Sequence, residues 1–182
     1  LSKTDLALFL AAAMLGGALA QPAAGWLADK FDRRYVLIWL SIAAIIVCFP
    51  LSTGVMTSNP PLPIIGSLIF GMATMPLYSV SVAHANDYCP EDFVVELNAS
   101  LIFMFAVGAI ISPTLAAELI VLYGPNALWL YISVAHIALI LFGLYRMTRR
   151  PSPTERASYR WLPRTTMVIG RLFDRGDDTP TR

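Results

Sequence analysis

A chain of 182 residues that is 57% hydrophobic and only 14% charged, with a mean hydropathy of +0.63, is too apolar for water as its sole solvent, since soluble domains carry about 25% charged residues. Its net charge of +1 hides an uneven layout: nine of the thirteen Lys and Arg lie at or beyond Arg146, three lie in the stretch from Lys30 to Arg34, and the last is Lys3. That layout excludes a nucleic-acid footprint, which needs basic residues clustered on one folded face, and two isolated cysteines, Cys48 and Cys89, make neither a disulfide framework nor a zinc site.

The chain opens at Leu1 with no Met and no signal-like charged start, and reads as a piece of a longer protein. Ser2 followed by Asp5 resembles a capping box, so a first helix is expected over residues 3–27, roughly the 20 residues a bilayer needs. Ala12, Gly16, Ala20, Ala24 and Ala28 recur every four residues, a small-residue stripe that lets a second helix approach closely. Gln21-Pro22 is expected to interrupt its last third. A block of five charges follows, Asp29, Lys30, Asp32, Arg33 and Arg34, between two long runs without Asp, Glu, Lys or Arg. A charged hairpin so flanked belongs at a bilayer surface.

A second helix is expected over 35–51, ended by Pro50, and an uncharged turn over 52–63. The third is expected over 62–85. Ser67, Gly71, Thr74, Tyr78, Ser81 and Ala85 give it one small and polar face, which suits the protein interior or a wet cavity. In the next loop Pro90 suits a first helical position, and Glu91 and Asp92 suit the positive end of a helix dipole. The fourth helix is expected over 92–123, with Gly108, Ser112 and Ala116 as a second stripe and a kink at Pro113. Gly124-Pro125-Asn126 turns the chain into a fifth helix over 127–147. Beyond it lies an Arg-rich tail, residues 151–182, whose apolar and basic residues permit an interfacial helix on anionic lipid or a flexible segment.

Five crossings put the hairpin and the tail on one side. Together they hold twelve basic residues, and the opposite loops hold none, so both are expected to be cytoplasmic. The acidic loop over 87–96 falls on the same side.

The block Gly25, Asp29, Lys30, Arg33, Arg34 resembles motif A of the major facilitator superfamily, Gly-x-x-x-Asp-Arg/Lys-x-Gly-Arg-Arg, with Asp32 where that family usually has Gly. The order of helices, and Ala83-His84-Ala85-Asn86-Asp87 after the third, is similar to helices 8 to 12, the C-terminal half, of the YcaD-like bacterial branch of that superfamily. The resemblance covers residues 1–150. It implies an all-α membrane protein whose five transmembrane helices form part of a six-helix half-bundle, in the inner membrane of a bacterium, with the helices of the other half as partners. It implies further that two bundles rock around a central site and that motif A acts as a conformational latch. Asp29 at a helix end needs a nearby cation, and Arg33 and Arg34 lie within reach across the hairpin. Breaking such a partly desolvated pair is expected to cost on the order of 1–3 kcal/mol.

The helix corresponding to the third lines the cavity in the family, so Thr74, Tyr78 and Ser81, with Gln21 and Asn98 from neighbouring helices, are the expected substrate path for a small molecule. Ionisable groups inside a membrane are functional candidates. His84 and Glu118 are candidates for proton coupling, set against a carbonyl-bonded interfacial His and a carboxylate reaching for water. His136, mid-helix, fits an interhelical hydrogen bond. No phosphate-cradling Gly-x-x-x-x-Gly-Lys-Ser/Thr occurs, and no His, Asp, Glu or Cys set gathers at one depth, so no catalytic residues, cofactor or metal are expected. A secondary transporter is the leading expectation. A membrane scaffold or sensor is the alternative, and a membrane-embedded enzyme ranks below it.

Overall fold

The computed structural model describes residues 3–53 and 61–149, so the tail and most of the expected turn over 52–63 lie outside the described residues. Six α-helices follow in order: α1 Lys3–Lys30, α2 Arg33–Ser52, α3 Pro61–Thr74, α4 Pro76–Asn86, α5 Val94–Tyr123 and α6 Ala127–Arg149. A 3-10 turn, Glu91–Phe93, leads into α5, and among the described residues there is no strand. Because α3 and α4 continue one another, these are five spans long and apolar enough to cross a membrane.

The helix over 62–85 is thus two segments, interrupted at Met75. The cause is Pro76, which has no N–H for the ladder and crowds the preceding turn. Gln21 donates from Nε2 to the Met75 carbonyl at 3.5 Å, offering the break a polar neighbour from α1. By contrast α1 runs unbroken through Pro22 and α5 through Pro113. Pro50 does not end α2, which continues to Ser52.

The four-residue stripe on α1 is a packing seam. Ala12, Gly16, Ala20, Ala24 and Ala28 are all buried, the first half of them against α3. A Cβ on Gly16 would run into the Leu68 carbonyl, and one on Gly71 into the Ala13 carbonyl, so the two backbones are in contact where both helices lack a side chain. Ser67 donates across the same seam to the Phe9 carbonyl. Phe9, Phe70 and Trp129 meet edge to face nearby, with ring centroids 6.2 and 5.7 Å apart, joining α1, α3 and α6.

The central helix is α2, which touches α1, α3, α4 and α6. At the hairpin end Ala24, Ala28, Val36 and Val80 form a small core, with Leu27, Leu37 and Leu40 packed around it. α5 lies at the edge, against α4 and α6, and none of its side chains is buried. Large apolar residues stand exposed on every span, from Leu6 and Leu19 to Ile110 and Phe142. A surface so apolar suits contact with lipid or with further apolar helices rather than with water.

Candidate functional site

Only Phe31 and Asp32 separate α1 from α2, so the hairpin's charges are held by helix ends rather than by a loose loop. Asp32 has extended backbone, φ −61° and ψ 124°, and its carboxylate accepts from the Arg34 N–H at 3.0 Å, which makes it the N-cap of α2. A glycine's freedom is therefore not required at this position. The same carboxylate takes the Arg34 guanidinium, Nη2 to Oδ2 at 2.8 Å.

Arg33 turns the other way. Its side chain is 8% exposed, and its Nη1 donates to the Ala83 carbonyl at 2.6 Å and to Asp87 Oδ1 at 2.5 Å, both at the end of α4. Asp87 is as deeply held, with a side chain 5% exposed. Asp29 stands farther off, 3.6 Å from Arg33 Nη2 and 37% exposed. The principal carboxylate of Arg33 is thus Asp87, from 54 residues away, and Arg34 is matched with Asp32. The sequence carried one signal for this: an acidic residue at a helix end on the hairpin's side of the membrane. Lys30 lies over the Trp26 ring, 4.8 Å from its centroid, a cation–π contact at the surface.

Two cavities flank this cluster. One, of about 700 Å³, opens between α1 and α4 with Gln21, Gly25, Asp29, Arg33 and Ser79 on its walls. A Cβ on Gly25 would meet nothing within 4 Å, so the groove floor there is open. The other, of about 360 Å³, lies between α2, α4 and α6 and carries Arg34, Ser81, His84 and Arg146.

The expected substrate-path residues divide among these surroundings. Gln21 lines the first cavity and Ser81 the second. Thr74 bonds back to the Phe70 carbonyl at 2.8 Å, and Tyr78 tilts against Phe105 of α5, 5.1 Å between centroids. Asn98 forms a reciprocal amide pair with Asn86, at 3.3 and 3.2 Å, which ties the start of α5 to the end of α4. His84 is half-buried with its ring edge-on to Tyr88, 5.3 Å between centroids. Glu118 is exposed on α5, and His136 is buried on α6. Among the described residues no three His, Cys, Asp or Glu gather in a way that would hold a metal ion.

The hairpin, the end of α4 and the end of α6 therefore share one end of a bundle of apolar spans. This is a multi-pass integral membrane protein with a charge-locked hairpin at its surface. The profile of the Major Facilitator Superfamily matches residues 1–175, and the chain belongs to that family. It is 28% identical over 153 residues to the uncharacterized MFS-type transporter YcaD of Salmonella typhi, covering 84% of this chain and 38% of that protein. It is 29% identical over 157 residues to an uncharacterized MFS-type transporter of Enterobacter sp. (strain 638), covering 86% and 39%. The chain thus spans less than half the length of these relatives. No solved structure matches it.

Proposed function

We propose that the chain is part of a secondary active transporter that moves a small solute by alternating access, with Gly25, Asp29, Lys30, Arg33 and Arg34 as its conformational latch. The observation that carries this reading is the unequal hold on Arg33. Asp87 grips it in a buried pair, whereas Asp29 stands at 3.6 Å with its carboxylate exposed in the groove. An exposed pair of that kind contributes only about 0.5 kcal/mol, so Asp29 is cheaply exchanged for a partner on another element. Removing one partner of a buried pair costs about 3–5 kcal/mol, so Arg33–Asp87 holds the hairpin while Asp29 does the switching. The open floor at Gly25 leaves room for an approaching helix.

In this reading the chain supplies helices 8 to 12, five of the six helices of the C-terminal half, and the sixth helix of that half together with the helices of the other half complete two rocking bundles. Its hairpin and tail, residues 151–182, face the cytoplasm of a bacterial inner membrane. Thr74, Tyr78, Ser81, Gln21 and Asn98 belong to the solute path, and His84 and Glu118 to proton coupling. No catalytic turnover is proposed, and the five spans alone do not transport.

The test is uptake by full-length protein in liposomes, over a panel of solutes, with and without a pH gradient. Asp29→Asn is expected to remain folded and to lower uptake about tenfold, the effect of ~1.4 kcal/mol. Unchanged uptake would remove Asp29 from the latch. Uptake that requires ATP would overturn the secondary-active reading, and uptake that residues 1–182 support alone would overturn the statement that the five spans do not transport.

A further inference from the structure

We propose that the cleft between α2, α4 and α6 binds an anionic phospholipid, its phosphate at Arg146 and Arg34 and one acyl chain in the slot beneath. The cleft shares Arg34 with the proposed latch, Ser81 with the proposed solute path and His84 with the proposed proton coupling, but its test is made at Arg146 and Gly143, which belong to none of them. It rests on how polarity is ordered along the cleft. Arg34, His84 and Arg146 form its mouth. Leu37 and Ile38 lie one turn deeper on α2, and Phe142 and Leu139 one and two turns deeper on α6, with Ser81 of α4 the single polar side chain at that level. A rise of 1.5 Å per residue gives the slot a depth of about 10 Å between Arg146 and Leu139.

Cations at the end of α6 answer the helix dipole and the rule for inward-facing loops. Neither accounts for an apolar slot directly below two guanidiniums. Gly143 borders the slot: a Cβ there would make only ordinary contact with Ile38, at 3.8 Å, whereas a longer side chain would extend into the space. An adjoining cavity of about 360 Å³ shares His84 and Arg146 and continues past Tyr88. No Asp or Glu lines either of them.

The two arginines have different parts. Arg34 is fixed by Asp32 and contributes a positioned charge. Arg146 is exposed and belongs to none of the ion pairs among the described residues, and its planar fork matches a phosphate bidentately. Phe142 is 60% exposed, so the slot opens sideways onto an apolar surface suited to lipid. A free phosphate would use the mouth and gain nothing from the slot. A phospholipid uses both.

The experiment is thermal unfolding and native mass spectrometry of the full-length protein in neutral detergent, with phosphatidylglycerol, phosphatidylcholine or inorganic phosphate added. Phosphatidylglycerol is expected to raise the midpoint above that in phosphatidylcholine and to be retained in the mass spectrum. Arg146→Gln is expected to weaken that retention about fivefold, the contribution of one Arg near a membrane surface. Gly143→Leu, which keeps every charge and fills the slot, is expected to abolish the difference between the two lipids. Each variant is compared with its own midpoint in phosphatidylcholine, so a shift in baseline stability does not enter. Equal responses to the two lipids in the wild type, an Arg146→Gln protein that retains phosphatidylglycerol undiminished, or full reproduction of the effect by inorganic phosphate would each overturn the proposal.

Discussion

Asp32 combines two interactions in one carboxylate, capping α2 and fixing Arg34. Losing an N-cap to alanine typically removes about 0.5–2 kcal/mol, and here a buried guanidinium also loses its partner. Asp32→Ala is therefore expected to lower the unfolding midpoint of the full-length protein clearly, while Asp32→Asn keeps the cap and falls between. The acidic residues are expected to rank by burial rather than by their place in the motif. Asp87→Asn removes the buried carboxylate of Arg33 and should cost up to about 3–5 kcal/mol, whereas Asp29→Asn should cost about 0.5 kcal/mol. Thermal denaturation of the two variants side by side checks that order, and a larger loss at Asp29 would contradict the geometry. His84 belongs at this scale as well. If it couples transport to protons, His84→Gln is expected to leave some uptake that no longer responds to a pH gradient, measured in the same liposomes.

Among the elements, α1 and α3 make the sharpest case, because their contact is backbone to backbone. Gly16→Ala and Gly71→Ala must each push a carbonyl aside, and overpacking of that kind costs typically about 1–3 kcal/mol. Gly108→Ala on α5, where a Cβ meets nothing within 4 Å, is expected to be neutral or slightly stabilising, since alanine is the better helix former. Unfolding midpoints of the three variants test the contrast. The seam was legible because a four-residue spacing of small side chains is a local pattern with one geometric meaning. The split of α3 from α4 was missed: Pro76 lies inside the single helix expected over 62–85, where the run of apolar residues on either side masks a local break. The expected interruption at Pro22 failed for the converse reason: a proline removes one ladder bond without obliging the helix to stop. Along α3 and α4 the small-residue face proved to have two uses. Ser67 and Gly71 serve packing against α1, and Ser81 borders the cleft beside α6.

At the scale of the molecule, the ends of α4 and α6 and the hairpin lie together, and the topology follows from that. Cys89, half-buried in the loop after α4, is expected to react with a membrane-impermeant maleimide only from the cytoplasmic face, in inside-out vesicles, and Cys48, fully buried in α2, only after unfolding. Labelling of Cys89 from outside the cell would reverse the orientation. What the chain determined by itself is its medium, its five spans, its charged hairpin and the seam on α1. Each depends on composition or on spacings of a few residues, which hydropathy and helix periodicity translate directly. Which carboxylate holds which arginine was decided only in three dimensions. Asp87 reaches Arg33 across 54 residues because α4 packs beside the hairpin, and no local pattern encodes a contact whose distance is set by the packing of other helices. The cleft beneath Arg146 has the same origin, since a cavity is the space left between elements and belongs to none of them.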